Sequence, residues 1–536
     1  MSNRLFSTVK LRKPKRSLFD LSHEKKLSFN MGDLVPIMCQ EVVPGDTFRS
    51  NSEIFIRMAP MVAPVMHRID VYTHFFFVPN RLVWSGWEDF ITMSNSGTLN
   101  PSASVFPHFP VNTTYADKMG SGSLADYLGL PQVQPSITPD GSVHLSWLPF
   151  RAYAKIWNDY YRDQNMTEPL DMNIGSLTLP QDISLLELRK RCWERDYFTS
   201  ALPWAQKGGE VSIPSGGIVE LGDPPYAPMP NQGLGGQFLN PSGSDHSLFN
   251  NYYSPIGLPV TQTSTAAGME PVIPDPSGNY VVGGSGITIN ELRKANKLQQ
   301  WLERNAIGGT RYIEQIMAHF GVRSSDARLQ RPEYLGGGKS PVVISEVLQT
   351  SETQNTPQGN MSGHGISVGN TNSFKKYFEE HGYVIGIMSV IPRTSYMEGI
   401  PRHFTKFDKF DYYWPTFAHL GEQEVKNKEV FSFYADSSIM PPDGPFGYQS
   451  RYAEYKFGLS TVHGEMRNSL SYWHMSRRFF DPTDQSLPLL NESFVTANPT
   501  NRIFAVTDPQ YHKLYCQIFH NLQAIRPMPK YGTPIF

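Results

Sequence analysis

Val71-Tyr72-Thr73-His74-Phe75-Phe76-Phe77-Val78, closed by Pro79-Asn80, is the stretch that decides the fold. Apart from His74 it is an unbroken run of β-branched and aromatic residues, with no alternation that would give it a wet side and a dry side. It therefore predicts a strand buried on both faces. The surrounding segment, Ile54 to Trp84, has the same character. Further strand signals come much later in the chain, at Tyr383–Ile391 before Pro392, at Tyr452–Val462 and at Leu514–Ile525. Strands so far apart must pair non-locally. That predicts a mainly β, antiparallel protein built as a Greek-key or jelly-roll sandwich with long inter-strand insertions and several surface helices, and not a ladder of βαβ units.

Four helices are predicted between these strands. Phe150–Asp163 places Tyr153, Ile156, Trp157 and Tyr160 on one face. Ser184–Asp196 opens with a capping box of Ser184 and Glu187 and carries Leu185, Leu188 and Cys192 on one side. A third starts at Thr288, with Glu291 completing a second box and Leu292, Ala295, Leu298 and Leu302 as its stripe, and stops at Gly308-Gly309. The fourth, Ile313–Phe320, ends at Gly321. Apolar stripes at helical spacing are expected to be core faces.

Charge is segregated along the chain. The first sixteen residues hold Arg4, Lys10, Arg12, Lys13, Lys15 and Arg16 and no acid. Taking these six from the 47 basic residues leaves 41 against 49 acidic ones, so the body is mildly acidic and any affinity for a polyanion must be local. The arm is broken by Pro14 and lacks apolar periodicity, which suits an extended tail that binds phosphate backbone without reading bases. Arg526 and Lys530, near the C-terminus, could add to that or rim a subunit contact.

The opposite extreme is the span 208–289: 82 residues without Lys or Arg, holding fifteen Gly, eleven Pro and six acids. Such composition cannot build an ordinary core. Phe238, Phe249, Tyr252 and Tyr253 are its candidate anchors, and a loop of this length is expected to be an ordered surface insertion. The domain map is thus an internal basic arm at 1–30, a sandwich domain at 31–207 and 290–536, and the insertion at 208–289.

Catalytic signals are weak. Cys39, Cys192 and Cys516 are odd in number and far apart, which predicts buried free thiols and neither disulfide framework nor zinc site. No run approaches the ~18 apolar residues of a membrane span, and no signal-peptide pattern opens the chain, so a reducing compartment is expected. Gly336-Gly337-Gly338-Lys339-Ser340 echoes the end of a P-loop, but Glu333 stands where the first glycine belongs, so a glycine turn before a strand is the better reading. Gly120 and Gly122 with Ala125 match a dinucleotide fingerprint only loosely, with no strand before them. His74, His381, His463, His474 and His512 are expected to be packing residues. Neither a cofactor nor a metal is predicted, and no catalytic residue is singled out.

Several long phrases resemble the major capsid protein of the small single-stranded-DNA microviruses, in its gokushovirus branch. They are His67-Arg68-Ile69-Asp70 running on through Val71–Asn80 to Arg81; Arg195-Asp196-Tyr197-Phe198-Thr199-Ser200-Ala201-Leu202-Pro203-Trp204; Gly308-Gly309-Thr310-Arg311-Tyr312; Ile391-Pro392-Arg393; and Tyr511–Pro529, ending in Asn521-Leu522-Gln523-Ala524-Ile525-Arg526-Pro527-Met528-Pro529. The resemblance implies an eight-stranded jelly roll, sixty copies of which form a T=1 icosahedral shell around circular single-stranded DNA. It also implies an insertion clustered at the threefold axes as a host-recognition protrusion meeting a cell-surface receptor. A scaffolding protein and a small basic DNA-condensing protein are further candidate partners, and assembly in the host cytoplasm without membrane insertion is expected. The arm residues Arg4 to Arg16 as DNA ligands come from the charge pattern and not from the family. The rival reading is a carbohydrate-active jelly-roll enzyme or lectin, whose site would be aromatics and scattered carboxylates, such as the adjacent Glu379 and Glu380.

Overall fold

Two antiparallel sheets carry the fold in the computed structural model. It describes residues 15–92, 106–132, 140–172, 180–208, 289–309, 311–348, 361–432, 441–479 and 488–531, with short backbone pieces at 226–228, 252–253, 259–260 and 272–274. Ten strands are needed here: β1 (Ser17–Asp20), β2 (His23–Phe29), β3 (Val35–Val42), β4 (Thr47–Met58), β5 (Ile69–Pro79), β6 (Glu333–Pro341), β7 (Val343–Leu348), β8 (Met361–Tyr377), β9 (Gly382–Pro392) and β10 (Leu514–Arg526). One sheet runs β1–β10–β4–β8–β7, with β2 also on β10. The other runs β6–β5–β9–β3. The pairings are non-local, as expected: Phe75 of β5 lies opposite Gly386 of β9, and Ile54 of β4 opposite Ile518 of β10.

Together the sheets make a β-sandwich around one apolar cluster. Phe48, Ile54, Ile56, Phe374, Leu514, Ile518 and Leu522 come from the six-stranded sheet, and Val35, Ile37, Val71, Phe75, Phe77, Val384 and Met388 from the four-stranded one. Of the run that opened the sequence, every residue of β5 is buried except His74. Its second face is covered by helix α1 (Leu148–Ile156), whose Leu148, Phe150, Tyr153 and Ile156 join Phe76, Val78, Ile385 and Ile387 in a second cluster. Tyr153 ties the helix down by donating its hydroxyl to the Leu34 carbonyl at 2.9 Å. Among the described residues the six-stranded sheet has no such cover, and β10 alternates buried and exposed residues along almost its whole length.

Several sequence expectations are corrected. Ser184–Asp196 is not an α-helix: Pro180–Leu186 forms a 3-10 turn, and the following residues pair as isolated bridges, Lys190 with Asp33 and Cys192 with Thr496. Tertiary backbone pairing there outweighs the local capping signal. Tyr452–Val462 is not a strand, because Tyr452 adopts φ +62° and opens a 3-10 turn at Ala453–Tyr455. The glycines of the P-loop echo lie within β6 and not in a turn before it. Gly337 is required there, since a Cβ would sit 2.1 Å from the Thr73 carbonyl oxygen.

The third and fourth helices exist as α2 (Ile289–Ile307) and α3 (Tyr312–Phe320), but their stripes are not core. Leu292 and Leu298 are exposed, and no residue of α3 is buried. Thr288 lies outside the described residues. Cys516 is buried, whereas Cys39 and Cys192 are half-buried; all three are free, and burial pushes the thiols up, to about 12 at Cys516 and about 11 at the other two.

Contacts divide the chain into two units, 1–207 with 303–536, and 208–302. Within the second, Tyr226–Pro228 pairs with Val272–Pro274 and Tyr252–Tyr253 with Pro259–Val260. Within the expected arm, 1–30, the residues from Ser17 to Phe29 are largely strand, laid antiparallel on β10.

Candidate functional site

Of the predicted nucleic-acid ligands, Arg4, Lys10, Arg12 and Lys13 lie outside the described residues. Lys15 and Arg16 are exposed and lead directly into β1, where Ser17 pairs with Arg526. The Arg16 guanidinium stands 5.5 Å over the Tyr377 ring, so the arm enters at the edge of the six-stranded sheet, beside the end of β8. Arg526 is engaged with buried Asp46 at 3.2 Å and donates to the Glu41 carbonyl, which makes it a structural residue. Phe238 and Phe249 also lie outside the described residues. Tyr252 and Tyr253 form the short strand named above, of which only the backbone is described.

The sequence reading missed two surfaces. The first is the segment Arg402 to Leu420, three short 3-10 turns that hold Phe404, Phe407, Phe410, Tyr412, Tyr413 and Trp414 exposed, Phe407 by 88 %. It is built from below. The Asp411 carboxylate accepts the backbone N–H groups of Asp408 and Phe407, which hold its pKa below the ordinary value, and the Trp414 indole donates to the Lys409 carbonyl at 2.8 Å. Lys406 donates to Glu454 at 2.9 Å and to the Tyr455 hydroxyl at 3.0 Å, while Arg402 pairs with Glu429 at 3.1 Å. Burial acts to raise the Glu454 carboxyl, but hydrogen bonds from Gln423 and Lys406 outweigh it and leave the group lowered. Ions and hydrogen bonds fix the frame, and the aromatic tips are left in water. The available signal was the aromatic density between Pro401 and Pro415.

The second is the uncovered face of the six-stranded sheet, where β4, β8 and β10 present Arg49, Arg57, Lys375, Tyr515, Gln517 and Phe519 to solvent. Its signal was present in the alternation of Leu514–Ile525, which marks one face for the core and the other for something else.

A cleft of about 860 Å³ beside α1 is where an enzyme reading would look, for it is lined by Asp159, Asp163, Glu194, Glu314 and Asp326. These acids are committed to other work. Asp159 pairs with Lys155, Glu314 with Arg311 and Asp326 with Arg331, at 3.1, 3.4 and 3.2 Å. Asp163 accepts two backbone N–H groups. Glu194 takes Lys339 at 3.3 Å and the Tyr72 hydroxyl; burial acts to raise its pKa, but these partners hold it lowered. Lys339, the P-loop-like lysine, also reaches Asp70 at 3.0 Å, so two carboxylates satisfy it without phosphate. Glu380, outside this cleft, is paired with Arg81 at 2.5 Å.

Of the five histidines expected to pack, His474 is buried and His74, His381 and His512 are half-buried, whereas His463 is exposed, a correction to that expectation. The ring Nδ1 of His74 is 2.7 Å from the Tyr161 hydroxyl, and burial followed by the Arg191 charge lowers its pKa to about 4. His474 is buried, with Nε2 at 2.7 Å from the Met466 carbonyl. No cluster of three metal-binding side chains occurs among the described residues, and no helix there is long and apolar enough to cross a membrane.

Comparison with known proteins gives this sandwich a family. The chain is 37% identical over 604 residues to capsid protein VP1 of Chlamydia phage 1, covering 100% of this chain and 98% of that protein. It is 37% identical over 545 residues to capsid protein VP1 of Bdellovibrio phage phiMH2K, covering 97% and 95%. It is 32% identical over 555 residues to capsid protein VP1 of Spiroplasma virus 4, covering 99% and 97%. A family model described as capsid protein (F protein) matches residues 7–536. The bare aromatic loop is thus the surface of a structural virion protein and not of an enzyme: the chain belongs to the capsid protein (F protein) family.

Proposed function

We propose that this chain assembles in the host cytoplasm as sixty copies of an eight-stranded jelly roll, closing a T=1 icosahedral shell around circular single-stranded DNA. The strand order supports the jelly roll: β2–β10–β4–β8 and β3–β9–β5–β6 are the two four-stranded sheets that eight strands form in this topology, with β1 and β7 as edge extensions. The single observation that carries self-assembly is the Arg402–Leu420 segment. Six large aromatics held exposed on a frame of ion pairs form an apolar surface of the kind that marks a protein–protein contact. A copy of the same chain is the partner that capsid assembly requires.

The basic arm, Arg4 to Arg16, binds the phosphate backbone on the inside. The acidic insertion 208–289, with Phe238, Phe249, Tyr252 and Tyr253, forms the threefold protrusion that meets a host-cell receptor. Its lack of cations supports the outward assignment, since an acidic segment is repelled by DNA. A scaffolding protein and a small basic DNA-condensing protein complete the proposed set of partners.

Sedimentation and electron microscopy of the purified full chain test this reading. A closed particle of icosahedral symmetry is expected, and Phe407→Ser with Trp414→Ser should leave folded subunits that do not assemble. A wild-type protein that stays monomeric at high concentration, or doubly substituted subunits that still close, would overturn it.

A further inference from the structure

The uncovered face of the six-stranded sheet has a composition unlike that of an ordinary wet sheet face. Along β10 the residues pointing away from the core are Tyr515, Gln517, Phe519, Asn521 and Gln523, spaced ~6.8 Å apart on one line. Their cross-strand partners on β4 are Arg57, Phe55, Glu53, Asn51 and Arg49. On β8 the neighbours of Phe55, Asn51 and Arg49 are Val368, Ser373 and Lys375. On β2, Lys26 stands opposite Gln517 and Glu24 opposite Phe519. Aromatic rings, side-chain amides and guanidinium groups therefore mingle across the two adjacent strands β10 and β4, with Lys375 beside them on β8 and with Tyr515 49 % and Phe519 38 % exposed.

We infer that this face is a binding platform for single-stranded DNA, the bases stacking on Tyr515, Phe519 and the Arg57–Phe55 pair and the phosphates lying on Arg49, Arg57 and Lys375. The inference rests on the DNA-enclosing reading above and names the surface that reading leaves open. Each residue type fits one part of the ligand. A ring accepts any base because every base has a π-face. The amides of Gln517, Asn521, Gln523 and Asn51 each carry a donor and an acceptor and can meet whichever base edge is presented. Arg57 lies 5.2 Å over the Phe55 ring, a cation–π contact that places the charge beside an aromatic face.

Charge favours a polyanion over a second copy of this mildly acidic chain. The acids near the face are Asp20, Glu24 and Glu53. Glu24 is occupied by Lys26 at 3.8 Å and by Gln517 at 3.4 Å, and Asp20 accepts the Ser22 backbone N–H. Arg49, Arg57 and Lys375 make no ion pair among the described residues. The basic arm joins this same sheet: β1 is paired to β10, and Arg16 stands over Tyr377 at the end of the β8 line that carries Lys375. A strand lying on the platform would meet the arm without leaving the sheet. The four-stranded sheet offers no equivalent, because α1 covers it.

The test uses the full-length chain and a fluorescent thirty-nucleotide oligo(dT), with binding followed by anisotropy at 0.1 M and 0.5 M salt. Tyr515→Ala with Phe519→Ala should weaken binding about tenfold or more at both salt concentrations, since each lost stacking contact is worth roughly that factor and stacking is screened little. Removal of residues 1–16 should instead weaken binding chiefly at 0.1 M. Both substituted side chains are exposed, so the melting temperature should stay at the wild-type value and confirm that the sheet is intact. Ultraviolet cross-linking of genome-filled particles should place nucleotide adducts on the peptide holding Tyr515 and Phe519.

Wild-type affinity in the double variant, with adducts confined to other peptides, would overturn the platform while leaving DNA enclosure standing. A wild-type chain with no affinity for oligo(dT) and particles that close without DNA would overturn both. If the face proved to be buried against a second copy of the chain in the assembled particle, the platform would fall as well.

Discussion

The two sheets of the sandwich share one core and differ in what lies on their other faces. The four-stranded sheet is sealed by α1, and its central strand β5 is buried on both sides. The six-stranded sheet shows its second face to solvent and writes that exposure into β10 as strict alternation. Position in the sandwich thus separates two tasks. A doubly buried sheet has no surface to offer a ligand and serves stability; a half-buried one can change its outer residues with little effect on the core.

The strongest challenge to this contrast is a truncation in the sealed sheet. Phe75 is 0% exposed and contacts the Phe374 ring across the core, with centroids 5.1 Å apart, so Phe75→Ala should cost about 3–5 kcal/mol by lost burial and cavity formation. Chemical denaturation of unassembled subunits would measure it, and a cost below 1 kcal/mol would mean that the core is not where the structure places it.

A second challenge adds volume instead of removing it. Gly386 lies opposite Phe75, and a Cβ there would stand 2.7 Å from the Phe75 ring and 3.1 Å from Ile37 Cγ1. Gly386→Ala should therefore destabilise by about 1–3 kcal/mol through overpacking, read as a lowered denaturation midpoint. Equal stability of the variant would show that the space between the sheets is looser than these contacts imply.

Acid sharpens the contrast from the side of the six-stranded sheet. His520 of β10 points into the core, with Nδ1 2.8 Å from the Ser52 hydroxyl and Nε2 3.0 Å from the Ile37 carbonyl, and burial lowers its pKa to about 4. The folded state therefore resists protonation of a group that protonates near pH 6.5 when exposed. Its contribution is complete above pH 6.5 and is lost as the pH falls from there toward 4, by on the order of 1 kcal/mol per pH unit. His67 and His74 are lowered to about 4 in the same direction, so subunits should lose stability steadily from pH 6.5 to 4.5. His520→Gln should reduce that slope without abolishing it, as measured by denaturation midpoints across the range.

The smallest effect is expected on the bare face. Tyr515→Ala should change subunit stability by less than about 0.5 kcal/mol, because half of the side chain is already in water. A cost comparable to that of Phe75→Ala would erase the distinction between the two sheets.

What the sequence determined by itself was the part governed by local pattern. The run at Val71–Val78 required a doubly buried strand, Leu514–Ile525 carried a strand signal, and the separation of these runs required non-local pairing; Val71, Phe75, Phe77, Ile385, Ile387, Leu514 and Ile518 of these strand runs are all buried. The family was also legible, because phrases of ten or more residues carry far more information than a short motif. Tertiary structure decided the rest. The capping signal at Ser184 lost to backbone pairing of Lys190 and Cys192 with distant residues. The aromatic run at Tyr452 lost to a left-handed residue held where its N–H donates to Gln423. The leucine stripe of α2 has the periodicity of a core face but, at Leu292 and Leu298, no core to meet among the described residues. Periodicity states which residues share a face. Only the assembled neighbours decide whether that face is covered by the same chain, by another molecule or by water, and that is why the aromatic loop and the sheet platform could be read from the structure and not from the sequence.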